Sequence, residues 1–187
     1  MAGQLGEEAE QLWRLTLLAR AFTDGLDPDQ IVDLVISEGV AGLDADGAVL
    51  AMLRPRGLLE VVAVVGVAVD NVARAQEAGP LRVDRALPVC DAVRSAAPVW
   101  VGSRDAGHRR YPELADVAPR SDAWAAIPMM SAGSVLGVFS LSFEGEREFS
   151  VGDKRYLIAL ADLCTLALGD RASRRSVNAV RRCRPTR

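Results

Sequence analysis

The chain has 187 residues, 22 basic and 25 acidic side chains, a net charge of -3 and a hydrophobic fraction of 50%. That length favours one domain with a substantial core, and so apolar a composition excludes disorder over most of the chain. Residues 171–187 carry seven Arg and no acid, so residues 1–170 hold 15 basic against 25 acidic side chains; an acidic body argues against a nucleic-acid surface on the domain itself.

Gln4–Phe22 reads as an amphipathic helix. Leu5, Leu12 and Ala19 share one heptad position, and Leu15 and Phe22 share another. The stripe is shorter than the roughly three to four heptads a coiled coil wants, and it suits docking on the domain or pairing with a second copy. Glu7, Glu8 and Glu10 stand where a signal peptide needs basic and apolar residues, which points to a soluble cytoplasmic protein. The longest apolar run, Val61–Val69, is far short of the ~20 residues that cross a bilayer.

Asp27-Pro28-Asp29-Gln30 is a helix start: Asp27 caps, Pro28 fits the first turn and Gln30 completes a capping box. The helix buries Ile31, Leu34 and Val35 and ends near Gly42. Turn chemistry at Asp44–Gly47 leads into a strand, Ala48–Leu53. Arg54-Pro55-Arg56-Gly57 then turns the chain into a second strand, Leu58–Val69, making a hairpin. Val61–Val65 is apolar at every position, so both faces of that strand are expected to be covered.

Asp70–Leu87 is the least regular region, with room for a one-turn helix around Val72–Glu77. Pro88 opens a short helix that stops before Pro98, with Cys90 and Val93 on one face. Pro98–Gly102 is a short strand, and Ser103–Arg120 a polar loop with a short helix at Pro112–Val117. Ala123–Phe143 is a hairpin turning at Ser131-Ala132-Gly133-Ser134; Pro128 in its first strand implies an edge or a bulge. Ser150-Val151-Gly152-Asp153 caps a last helix, Ser150–Leu168. From Tyr156 to Leu168 only Asp162 and Thr165 interrupt its apolar surface, so it must be buried on more than one side, against the sheet and against the N-terminal helix or another subunit. Five strands with helices on one face make an α+β sandwich.

The same order and local patterns resemble the GAF domain family over roughly Leu12–Arg171. The resemblance rests on LARAFTDGLDPDQIVDLVI, GAVLAMLRPRGLLEVVAVVG, LPVCDAVRSAAPVWVGS, RYPELAD, AAIPMMSAGSVLGVFSLSF and EFSVGDKRYLIALADLCTLALGDRA. It is similar to bacterial GAF domains found beside phosphatase, histidine-kinase or transcription-regulator domains. The resemblance implies an antiparallel sheet of five to six strands with the terminal helices (1–23 and 150–170) packed on one face, within a sensory domain spanning 1–170. It further implies a pocket under the irregular region, a homodimer paired through the terminal helices, and an output domain or partner protein. Residues 171–187 are expected to form a flexible basic tail, with nucleic acid at most a weak partner of that tail.

The family's best-known motifs do not carry over. Cys90 is followed by Asp91, so the Cys-His pair of bilin-binding members is missing. The cyclic-nucleotide Asn-Lys pattern has no counterpart at Asn71 or Asn178. The three cysteines are scattered, unlike those of the methionine-sulfoxide-reductase members, and His108 is the only histidine for a haem.

Cys90, Cys164 and Cys183 show no CxxC spacing, so no metal site is read. His108, flanked by Gly107 and Arg109-Arg110, reads as a solvated loop histidine rather than a ligand. Cys90 reads as a core thiol, with a redox sensor as the alternative; Asp91 opposes a lowered pKa there. Cys164 reads as core, and Cys183 as a tail thiol whose arginine neighbours favour thiolate, the second candidate for a redox sensor. No nucleophile elbow, phosphate loop or paired carboxylates appear, so the chain reads as a non-enzyme with an unidentified cofactor, if any. The candidate ligand-binding residues are Trp100, Tyr111, Trp124, Met129 and Cys90; core packing is the competing reading for each. Three functions follow: a small-molecule sensor, an interaction module without a ligand, and a thiol redox sensor. A pocket below ~300 Å³ argues against a drug-sized ligand.

Overall fold

The computed structural model describes residues 2–23 and 27–182, with side chains for residues 9–20, 27 and 30–168. Five strands, β1 (Gly47–Arg54), β2 (Leu58–Gly66), β3 (Val99–Val101), β4 (Ala123–Ser131) and β5 (Ser134–Phe143), form one antiparallel sheet in the order β2-β1-β5-β4-β3. Helices α1 (Ala2–Thr23), α2 (Pro28–Leu43) and α7 (Val151–Arg182) pack together over one face. The other face carries α3 (Ala68–Glu77), α4 (Pro88–Ser95), α5 (Arg104–Arg110) and α6 (Leu114–Val117). This is the α+β architecture expected from the sequence.

Local chemistry sets the element ends. At α2, Asp27 N donates to Gln30 Oε1 (3.1 Å) and Gln30 N donates to Asp27 Oδ1 (3.2 Å). At α7, Ser150 N donates to Asp153 Oδ2 (3.1 Å) and Asp153 N to Ser150 Oγ (3.0 Å). Both are reciprocal capping boxes, satisfying donors that a helix start leaves unpaired. The β4–β5 turn places Ala132 at φ 48° and Gly133 at φ 78°. Two successive positive φ angles give the tight turn whose twist matches the strands.

Strand alternation divides the core in two. Ala125, Ile127 and Met129 of β4, with Phe139, Leu141 and Phe143 of β5, face α2 and α7. Trp124, Ala126 and Val138 face the short helices. Against the first face, α7 buries Tyr156, Leu157, Leu160, Ala161 and Cys164. Tyr156 seats on α2 where Gly42 stands: a Cβ there would come within 2.6 Å of Oη, which donates to Glu38 O at 3.0 Å. α1 covers the outer side of this pair through Leu18 and Leu15, and Arg14 reaches Glu38 at 2.8 Å.

The cover and the end of β2, the length of α3 and the helix content of residues 103–120 differ from the expectation, while the bulge expected from Pro128 is present. β2 is an edge strand, not one covered on both faces: Val62 and Val65 are 42% and 37% exposed. A bulge opposite Leu50 and Ala51 leaves Val62 without a partner residue, and such a bulge protects an open edge from pairing. The expected strand end at Val69 gives way to a turn at Gly66 (φ 64°) and to α3, which is a ten-residue helix rather than one turn. Ser103–Arg120 holds a second helix, α5, started by Ser103 Oγ accepting from Ala106 N (3.3 Å). Pro128 lies in an inner strand, but β3 ends its pairing at Ala126 and a bulge follows at Met129/Met130. The missing N–H of Pro128 therefore falls where β4 has no neighbour on that side. α7 continues to Arg182; Cys183 lies outside the described residues.

Candidate ligand cavity

The face away from α7 carries small side chains at its centre. Ala51 on β1 and Ser140 and Ser142 on β5 leave space that Trp124, α3, the start of α4 and α6 enclose. The resulting cavity measures about 90 Å³. Its apolar wall includes Val49, Val72, Ala75, Leu87, Leu114 and Val117, and its polar wall is Asn71, Ser140 and Ser142. Two glycines set its ends. A Cβ on Gly47 would come within 2.5 Å of Ala68 N, so glycine lets α3 start against β1. A Cβ on Gly107 would meet the Trp124 ring at 2.6 Å, so α5 seats that indole.

The polar groups have defined roles. Ser140 Oγ donates to Ala125 O at 2.8 Å, and Ser142 Oγ to Gly47 O at 3.5 Å. Asn71 Nδ2 donates to Ser121 Oγ at 3.3 Å, tying α3 to the buried segment before β4. No lining residue carries a charge.

A charged network holds the cover. Arg85 pairs with Glu113 (2.7 Å) and donates to Ala75 O on α3 (2.6 Å). Glu113 also accepts from Ala86 N (2.8 Å). Burial raises the Glu113 pKa, but the Ala86 N–H and Arg85 outweigh it and hold the carboxyl below its ordinary value. Arg94 donates to the Val83 and Arg85 carbonyls. Asp91 accepts from Tyr111 Oη (2.6 Å) and Arg110 (2.8 Å), joining α4 to α5. The Tyr111 hydroxyl first, then Arg110 and Arg94, hold Asp91 below the usual carboxylate range against its partial burial.

The five residues singled out from sequence separate. Trp124 lines the cavity. Trp100 lies on the opposite face of the sheet, 5.4 Å from the Phe149 ring, and Met129 is buried in the same helical layer. Tyr111 is buried beneath the α4–α5 junction with its hydroxyl on Asp91. Cys90 is buried beside it, its thiol donating to Arg82 O (3.1 Å). Burial pushes that thiol up to about 12, which leaves little thiolate at neutral pH. Burial does the same to Cys164, on the far side of the sheet. His108 stands in α5, half-buried, rather than in a loop. Its Nε2 is shielded and finds no partner among the described residues.

Sequence reading missed Asn71, Ser140 and Ser142. The serines left a signal: polar residues two apart in an apolar strand share one face, and a polar pair on a buried face marks a site. Asn71 left none, because its helix was read as irregular.

The sequence pattern of the GAF domain family matches residues 25–169, and the chain belongs to that family. A GAF domain is a common regulatory and sensory fold of signalling proteins. Among solved structures, the chain is similar to the GAF domain of a phosphoenolpyruvate-protein phosphotransferase from Coxiella burnetii, with TM-score 0.73 and 16% identity over 90% of this chain and 98% of that one. It is similar to free methionine-R-sulfoxide reductase from Neisseria meningitidis in complex with its substrate, with TM-score 0.70 and 18% identity over 90% and 93%. It is also similar to the GAF-B domain of DevS from Mycobacterium smegmatis, with TM-score 0.56 and 22% identity over 81% and 99%. At these identities the likeness is one of fold. A comparison with curated proteins finds no match. Among the described residues no helix is long and apolar enough to cross a membrane, and no group of His, Cys, Asp and Glu is arranged to hold a metal.

Proposed function

We propose that this is a non-catalytic, cytoplasmic regulatory domain of a bacterial signalling protein, which takes up a small molecule in the cavity and relays occupancy through α1 and α7. The observation that carries this reading is the shared strand β5. Ser140 and Ser142 line the cavity, while the alternating Phe139, Leu141 and Phe143 pack in the layer that holds α7. A ligand that prefers one position of β5 thereby prefers one arrangement of α7, and that difference in affinity is the signal. The domains solved from the phosphotransferase and DevS are parts of larger proteins, which favours an output domain or partner here. Leu12, Trp13 and Leu17 on α1 and Leu166 on α7 are exposed apolar side chains, and they favour a homodimer through the terminal helices.

The test is native against denaturing mass spectrometry on the purified protein, with an absorption spectrum of the same sample. A mass excess that vanishes on denaturation is expected. A bare dimer mass that never changes with added small molecules would overturn the sensor reading.

A second reading, an interaction module without a ligand, draws on one observation: the 90 Å³ cavity is below the ~300 Å³ that drug-sized ligands need. The sensor reading therefore requires a much smaller occupant. A redox sensor at Cys90 loses its support, because a buried thiol hydrogen-bonded to a carbonyl and raised to about 12 is a poor nucleophile. The reductase-like neighbour does not change this: Cys90 and Cys164 lie on opposite sides of the sheet.

A further inference from the structure

We propose that the cavity takes an uncharged molecule of roughly five or six heavy atoms that carries an N–H or O–H donor on an otherwise apolar body. The inference rests on the sensor reading above and names the chemical class of its ligand. Size comes first. The cavity of about 90 Å³ is smaller than the ~150 Å³ apolar cavity that takes up benzene. A five-membered ring or a short branched chain therefore fills it, and a nucleotide, haem or bilin would have to lie largely outside through its open side.

Charge comes second. No lining residue is ionisable, so an ion entering the cavity would shed its water without gaining a counter-charge, at a cost no contact there repays.

Hydrogen-bond chemistry comes third. A backbone carbonyl only accepts, so Ser140 spends its single proton on Ala125 O at 2.8 Å, while Ser142 is held only weakly by Gly47 O at 3.5 Å. The Ser140 hydroxyl then offers lone pairs, not a proton, to anything in the cavity, and Ser142 does the same while it stays on Gly47. Asn71 commits one of its two Nδ2 protons to Ser121, and no described residue donates to its Oδ1. The side-chain oxygens on the wall thus act mainly as acceptors, with the second Nδ2 proton of Asn71 the one side-chain donor left over among the polar lining residues. A ligand with a donor engages one of these lone pairs, whereas a ligand of the same shape without a donor covers them and gains no hydrogen bond.

Pyrrole and furan make the test, being rings of one shape that differ in a single N–H. The full chain is titrated with each while amide NMR spectra are recorded, with acetate and ammonium as charged controls. Saturable shifts are expected at Ser140, Ser142, Asn71 and Trp124 with pyrrole. Furan should bind about three- to tenfold more weakly, the range one neutral hydrogen bond supplies, and the ions should leave the spectra unchanged. Ala75→Leu, which fills the cavity from α3, should abolish both responses. Ser140→Ala should bring pyrrole down to the affinity of furan; if that variant does not fold, Asn71→Ala on half-buried α3 makes the same comparison. Furan binding as tightly as pyrrole would overturn the donor requirement while leaving the sensor reading standing. Shifts that survive Ala75→Leu would overturn the assignment to this cavity. No response to any probe would overturn the ligand class, and the native-mass experiment then decides the sensor reading on its own.

Discussion

The two faces of the sheet are built from the same strands and do opposite things. The α7 face is filled with large side chains, among them Phe139, Leu141, Tyr156 and Leu160, all nearly inaccessible. The cavity face has Ala51, Ala126, Ser140 and Ser142 at its centre and is covered by four helices of 10, 8, 7 and 4 residues. Helices that short do not stand alone in water, so their cover is held by Arg85, Glu113, Asp91 and Arg94 in addition to apolar contact. One face is a packed layer that fixes the fold; the other is a tethered cover over a small space. Alternation along a strand allows both, because neighbouring residues answer to different environments.

The largest expected break in this contrast is on the packed side. Leu160→Ala should cost about 2–5 kcal/mol, as buried leucines do when a cavity is left behind. Ala75→Leu, which adds volume on the cavity side, should cost less than about 1.5 kcal/mol because it enters existing space. Chemical denaturation of both variants measures the difference, and equal losses would mean that the cavity side is as tightly packed as the other.

The next effect concerns the tether. Glu113→Ala removes the carboxylate partner of Arg85 and the acceptor of the Ala86 amide and should cost about 1–3 kcal/mol. The loss should appear as faster hydrogen exchange in residues 79–87 and α3, with α2 and α7 unaffected. A uniform increase across the chain would argue against a separate cover.

Acid should weaken the same region. Asp91 has a folded pKa below its ordinary value, so its contribution is complete above about 3.9 and is lost as pH falls through the folded pKa below that. The melting temperature of the native protein should exceed that of Asp91→Asn at neutral pH, and the gap should close below about pH 4. A constant gap would mean that the carboxylate charge is not what ties α4 to α5.

The smallest effect on stability is on the outer surface. Leu12→Asp with Leu166→Asp, both at largely exposed positions, should alter stability by about 0.5 kcal/mol or less. The mass by light scattering should nevertheless fall from dimer to monomer. Leu15 packs against the core and is a poorer probe, since its replacement mixes folding with pairing. An unchanged mass would reject pairing through these helices.

What the sequence determined by itself is local. The capping boxes at Asp27 and Ser150 and the turn at Ala132-Gly133 involve groups three or fewer residues apart, so side-chain type and spacing specify them. Alternation in β4 and β5, and the apolar surface of α7 that demanded cover on more than one side, were legible for the same reason. The tertiary structure decided what depends on distant neighbours. Val61–Val65 is apolar in the manner of an inner strand, yet β2 is an edge because β5 takes the other side of β1. Trp100 and Trp124 are alike in composition and strand context; pairing of β3 with β4 sends one to the helical layer and the other to the cavity. The cavity's size and its acceptor-lined wall follow from contacts across the fold: Asn71 with Ser121, Arg85 with Glu113, and α3 against Gly47. Those contacts join segments far apart in the chain, and periodicity along a sequence carries no information about the space left between them.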